Sequence, residues 1–239
     1  MKLITLTILL FASMSTPLKS GYLNKEEISL HYIFREPKLK QKNPPLIILL
    51  HGIGSNEKDL FSFANQLPDK YLVVSARAPY EIGQDKYAWY NIDFSTGKPV
   101  YNKEKAEKSR TVILKFIQQL KEKHSFDDKQ VYLCGFSQGA IMAYSVGLTR
   151  PDKIKGIAVM SGRMLEDIKP LIKPGEQLKQ LSVFISHGTR DDVFKVQLAR
   201  ECAAYVKGLG ITPTYKEYPE AHTISNAMIA DLIIWLNKK

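Results

Sequence analysis

Ser137 stands in the string Gly135-Phe136-Ser137-Gln138-Gly139, a spacing that suits a nucleophile on a sharp strand-to-helix turn. Glycines flank such a turn because side chains there would collide with neighbouring backbone. The hydroxyl then projects at the carboxyl edge of a sheet, beside a helix N-terminus whose dipole favours developing negative charge. At ordinary Gly and Ser frequencies the string turns up by chance in roughly one chain in ten of this length, so it needs partners. A serine nucleophile needs a base, and the base needs an orienting carboxylate. On a strand–turn–helix scaffold of this kind they follow in the order Ser, Asp or Glu, His.

Of the five histidines, only His187 and His222 come after Ser137. His222 lies in Tyr218-Pro219-Glu220-Ala221-His222, between the last predicted strand and the last predicted helix, a sheet-edge loop suited to a general base. His187 directly follows a buried strand, and no strand-end acid precedes it, so it is expected to shape the turn that presents the acid. Asp191 and Asp192 are adjacent in that turn, and Glu220 lies two residues from His222; spacing alone leaves the two aspartates nearly even. An oxyanion hole needs two backbone N–H groups. Gln138, directly after the serine, supplies one. Ile53, in His51-Gly52-Ile53-Gly54 after another buried strand, is the expected second.

These groups converge only if the surrounding elements form a layered sheet. Residues 131–134 read as a buried strand and 138–148 as the helix after Ser137. Continuous apolar runs at 45–50, 71–75, 154–160 and 182–186 suit strands buried on both faces of a parallel sheet. Alternation over 26–34 predicts a half-buried strand, and 214–218 a short one. Helices are expected at 59–67, at 103–124 with Ile113, Phe116, Ile117 and Leu120 on one face, at 195–209 and around 224–236. Residues 79–102 read as a long polar-aromatic connection. Strands alternating with helices imply an α/β fold with a mostly parallel sheet covered on both faces.

The chain has 239 residues, 44% hydrophobic, with two cysteines and a formal net charge of +10. That excludes a disordered chain and a disulfide scaffold. Residues 1–20 read as a secretory signal peptide: Lys2, a short apolar run to Ala12, then Ser13 and Ser15, with cleavage expected after Ser15. The run is too short for a membrane span, and no cysteine offers a lipid anchor. Export follows, to a periplasmic or extracellular space, and residues 21–239 form one domain. Cys134 and Cys202 are expected to be buried singly, in a strand and a helix. Seven of the ten net charges fall in residues 35–42 and 103–124. Both stretches are expected to lie away from Ser137 as solvated surface, which argues against a nucleic-acid partner.

The chain resembles the phospholipase/carboxylesterase family of α/β-hydrolases, which includes the acyl-protein thioesterases. The resemblance rests on Leu50-His51-Gly52-Ile53-Gly54, Ala78-Pro79, Ala88-Trp89-Tyr90-Asn91-Ile92, Gly135-Phe136-Ser137-Gln138-Gly139, Ser161-Gly162, His187-Gly188 and the segment around His222, together and in order. It implies an α/β-hydrolase fold without a large cap domain. It also implies Ser137 as nucleophile, His222 as base and Asp191 as acid, because the family's acid comes three residues after its His-Gly glycine. Ile53 and Gln138 match the family's oxyanion donors, and Trp89 and Tyr90 its active-site mouth. Asp192, Ala221, Tyr90 and Asn91 depart from the residues usual at their positions, which bears on the substrate.

The expected reaction is hydrolysis of a small acyl, aryl or lysolipid-like carboxylic ester through an acyl-enzyme, with no metal or organic cofactor. Met164 and Leu165 are candidates for an acyl site. A peptidase or acyltransferase on the same residues, and a non-catalytic binding protein on this scaffold, are the competing readings; the complete Ser-Asp-His set argues against the last.

Overall fold

The computed structural model describes residues 28–93, 95 and 99–239; the signal-peptide segment lies outside the described residues. The chain runs through β1 (Tyr32–Arg35), β2 (Leu46–Leu50), α1 (Lys58–Phe61), β3 (Leu72–Ala76), β4 (Tyr80–Gly83), β5 (Lys86–Ala88), β6 (Ile92–Asp93) and β7 (Val100–Tyr101). It continues with α2 (Lys103–Leu120), β8 (Val131–Phe136), α3 (Gln138–Thr149), β9 (Gly156–Met160) and α4 (Glu176–Lys179). The last elements are β10 (Ser182–Gly188), α5 (Val196–Gly208), β11 (Thr214–Tyr218) and α6 (Asn226–Asn237).

Seven strands form the main sheet in the order β1-β3-β2-β8-β9-β10-β11. All neighbours are parallel except β1, which runs antiparallel to β3 along one edge. The continuous apolar runs are explained by two cores. Ile48, Leu50, Val74, Leu133 and Val159 face α2, α3 and α5. Their neighbours Ile47, Leu49, Val73, Tyr132 and Met160 face α6 and the segment around α1. A strand with helices on both faces has no polar side, so period-two alternation disappears. α3 is buried from Gln138 to Leu148, as befits the helix beneath the centre of the sheet.

The structure differs from the predicted elements where pairing or packing overrides local pattern. Among the described residues of 26–34, the alternation yields a strand from Tyr32 rather than from Ile28, because the register with β3 begins at Tyr32 opposite Ala76. Phe34, predicted on the buried side, is 45% exposed on this edge, with its ring against His124. The predicted helix at 59–67 divides into α1 and a 3-10 turn at Ala64–Gln66. Within 79–102, β4 pairs with β5 and β6 with β7, so the long connection folds into two small hairpins.

β2 sits between β3 and β8, so the chain leaves it toward one side and later returns on the other. The loops after β2 and β8 diverge at their carboxyl ends, and a crevice opens at such a switch point. Residues 51–54 and Ser137 border it. No helix among the described residues is long and apolar enough to cross a membrane.

Candidate active site

Ser137 occupies a backbone conformation that residues with side chains rarely adopt, φ 51° and ψ −115°. Holding it there costs on the order of 1–3 kcal/mol. The surroundings impose it: the Ser137 N–H donates to Met160 O at 3.0 Å, and its carbonyl accepts the Ile141 N–H at 3.1 Å. Gly139 permits it, since a Cβ there would fall on the Leu50 carbonyl, and one on Gly135 would fall on the Gly139 backbone. Both motif glycines are thus required by close backbone approach between β2, β8 and α3.

Ser137 Oγ lies 2.9 Å from His222 Nε2, and His222 Nδ1 lies 2.7 Å from Asp191 Oδ2. A carboxylate only accepts, so Nδ1 carries the proton and Nε2 is free to accept from the serine hydroxyl. The other carboxylate oxygen, Asp191 Oδ1, accepts the N–H groups of Val193 at 2.9 Å and Phe194 at 2.8 Å. Asp191 is 2% exposed, whereas Asp192 faces solvent. Of the two adjacent aspartates, Asp191 is therefore the one that reaches His222. The His222 ring is flanked by Phe136 and Phe194, with centroids at 5.0 and 5.6 Å. Those two rings restrict its rotation and keep most of it from water.

His187 is buried, and its Nε2–H donates to Phe194 O at 2.6 Å, with Asp191 Oδ2 at 3.3 Å. It braces the turn from 191 to 194, which is the part expected of it. The Glu220 carboxylate makes no hydrogen bond or ion pair to His222 among the described residues; its backbone carbonyl accepts the Arg190 N–H at 2.9 Å and so ties the loops after β10 and β11 together.

The loop from His51 to Gly54 is fixed from several sides. His51 Nε2 accepts the Ala78 N–H at 3.0 Å, Nδ1–H donates to Gly52 O at 2.7 Å, and Trp89 Nε1 donates to His51 O at 3.0 Å. Burial holds the His51 imidazole below its usual pKa, which keeps it neutral and suited to one donor and one acceptor role. Neither the Ile53 nor the Gln138 N–H is taken by an acceptor among the described residues. Both are available at the mouth of the crevice, as an oxyanion hole requires.

Four expected substrate contacts are corrected. Trp89 and Tyr90 are fully buried rather than at a mouth, and they brace the site from behind. Gln138 Oε1 accepts the Trp89 N–H at 2.7 Å, and its Nε2 donates to Tyr90 O at 2.8 Å. Ser109 of α2 donates to Trp89 O at 2.5 Å. Met164 and Leu165 are packed into the main core with Ile168 and Cys202, and neither lines the groove beside His222. The side chain of Gln138 is the functional part that sequence reasoning missed. Its signal is an amide at the start of an otherwise apolar helix. A groove of about 350 Å³ opens beside His222, with Phe136, Leu60 and Ile224 and the polar Asp59, Gln66 and Asn226 among the residues that line it. Both cysteines are free and buried, and burial pushes the Cys134 thiol up to about 12.

Comparison with known proteins agrees with this architecture. The phospholipase/carboxylesterase family model matches residues 35–239. Acyl-protein thioesterase 1 of Emericella nidulans is 27% identical over 226 residues, covering 86% of this chain and 94% of that protein. Carboxylesterase SOBER1 of Arabidopsis thaliana is 24% identical over 206 residues, covering 81% and 90%. Among solved structures, the carboxylesterase of Bacillus cereus superposes with a TM-score of 0.75 at 20% identity, covering 87% of this chain and 94% of that one. The carboxylesterase of Mesorhizobium loti gives 0.76 at 16%, covering 89% and 97%. At those identities the structural matches establish the α/β-hydrolase fold. The family match over most of the chain establishes more: the protein belongs to the phospholipase/carboxylesterase family, a family of carboxylic ester hydrolases.

Proposed function

We propose that this protein is an exported serine hydrolase that cleaves small acyl, aryl or lysolipid-like carboxylic esters through Ser137, His222 and Asp191. The observation that carries the reading is the unbroken relay from Ser137 Oγ through His222 to Asp191, at 2.9 and 2.7 Å, on a strained turn. His222 Nε2 takes the hydroxyl proton as Ser137 Oγ bonds to the ester carbonyl carbon. The carbonyl electron pair moves onto oxygen, which the N–H groups of Ile53 and Gln138 receive. Each such donor is worth about 10²–10³ in rate. Collapse of the intermediate breaks the C–O bond, and His222 gives its proton to the leaving alkoxide. Water then repeats the sequence on the acyl-enzyme, releasing the carboxylic acid and restoring Ser137. Asp191 holds the tautomer and stabilises the imidazolium throughout.

Export rests on the charge-apolar-small order of residues 1–15 alone. An exported enzyme would not meet lipidated proteins inside the cell, so we favour oxoesters over protein thioesters. A fluorophosphonate probe tests the mechanism. It should label the wild-type protein once, at Ser137, and His222→Ala should label at a rate lower by orders of magnitude. Equal labelling of the two would exclude His222 as the base.

A further inference from the structure

Arg163 follows Ser161-Gly162 at the carboxyl end of β9, the strand whose Met160 carbonyl holds the Ser137 N–H. Ser161 has φ 50°, and the turn it makes presses Gly162 onto the start of α3, where an added Cβ would collide with that of Ala140. Arg163 is thereby carried to the rim of the site. Its guanidinium carbon lies 5.9 Å from the ring centroids of both Tyr101 and Phe194, and Phe194 stands edge-on to His222. The side chain is half-buried, with its guanidinium near both aromatic rings rather than out in open solvent.

The nearby acids are engaged elsewhere. Asp167 accepts from Lys103 at 2.8 Å and from the Tyr101 hydroxyl, and Glu166 pairs with Lys169 at 2.7 Å. Asp191 is taken by His222 and two amides. Lys105, another cation on this side, donates to Asn91 at 2.7 Å and lies over the Tyr80 ring. Arg163 makes one long hydrogen bond, Nη1 to Met164 O at 3.5 Å, and no ion pair among the described residues. A guanidinium that meets aromatic rings keeps most of its N–H donors free, and those donors match the two oxygens of a carboxylate.

We propose that Arg163 is a specificity-determining residue that binds a carboxylate on the ester substrate, so that the enzyme prefers monoanionic esters to neutral ones. The proposal rests on the serine-hydrolase reading above. With Arg163 one aromatic ring from His222, the carboxylate must lie only a few bonds from the scissile carbonyl, on the acyl or the alcohol half.

The test compares kcat/KM by proton release for three pairs of esters: ethyl hemisuccinate against diethyl succinate, O-acetylglycolate against its ethyl ester, and acetylglycerol phosphate against acetylglycerol. Wild type, Arg163→Gln and Arg163→Lys are measured side by side. At least one carboxylate ester should exceed its neutral partner in the wild type. In Arg163→Gln that ratio should fall about tenfold or more, chiefly through KM, with partial recovery in Arg163→Lys. Raising the salt concentration should weaken the wild-type preference. A wild-type ratio at or below one in both carboxylate pairs overturns the proposal. So does an equal loss on both members of each pair in Arg163→Gln, which marks a structural role. A response confined to the phosphate pair overturns the carboxylate assignment. Failure of the underlying reading shows separately, as hydrolysis of the neutral esters that Ser137→Ala does not reduce.

Discussion

Asp191 is held by groups from two sides, the His222 imidazole on one oxygen and two backbone amides on the other. Its neighbour Asp192 projects into solvent from the same turn. Asp191→Asn should keep the geometry but favour the wrong imidazole tautomer, lowering kcat by roughly 10³–10⁴-fold. Asp192→Asn should leave kcat close to wild type. Ester hydrolysis by the two variants in parallel checks this, and a larger loss in Asp192→Asn would reverse the assignment. Ser137 and His222 were legible in the sequence because a motif and a chain order single them out. Spacing did not separate Asp191 from Asp192, since neighbours in one turn share every property except direction; only the family resemblance pointed to Asp191. Trp89 and Tyr90 misled for a similar reason: an aromatic pair beside a site can face the substrate or support the loop, and only the amide of Gln138 reveals which.

The loop from Gly52 to Glu57 carries the Ile53 N–H, and its anchor is an ion pair. Glu57 is almost wholly buried and receives Arg77 through Nε at 2.6 Å and Nη2 at 2.7 Å, from just beyond the end of β3. The hydrogen bonds from Arg77 hold the Glu57 carboxyl below its usual range. Ionised Glu57 therefore stabilises the folded state fully above its unfolded pKa, about 4.3, and that contribution is lost as pH falls through the lower folded value. Glu57→Gln should cost roughly 1–3 kcal/mol near pH 7. Thermal midpoints from pH 7 to pH 3 should show the gap to wild type shrinking in the acid range; a gap that stays constant would mean the ion pair contributes nothing. At this scale most helices and buried strands were readable, because continuous apolar runs and a 3.6-residue period are local signals. The start of β1 and the hairpins within 79–102 were not, because pairing partners far along the chain decide them.

Across the whole molecule, the parallel sheet sends every chemical group to one edge: Ile53 after β2, Ser137 after β8, Asp191 after β10 and His222 after β11. The charge distribution follows the same axis. Residues 35–42 lead into β2 at the opposite edge, where Lys38 pairs with Asp69 ahead of β3. α2 departs from expectation, since its first turns come up behind the site through Lys105 to Asn91 and Ser109 to Trp89. Its basic C-terminal end stays remote, with Lys121 paired to Asp128 ahead of β8. Fold class was legible from the strand–helix alternation, whereas the approach of α2 to the site depends on packing that no local pattern encodes. The reading as a whole stands on Ser137 acting as the nucleophile. Hydrolysis of p-nitrophenyl butyrate by purified wild-type protein and by Ser137→Ala tests that most directly. The variant should lose on the order of 10⁴-fold or more in kcat, and equal rates for the two proteins would contradict a serine mechanism.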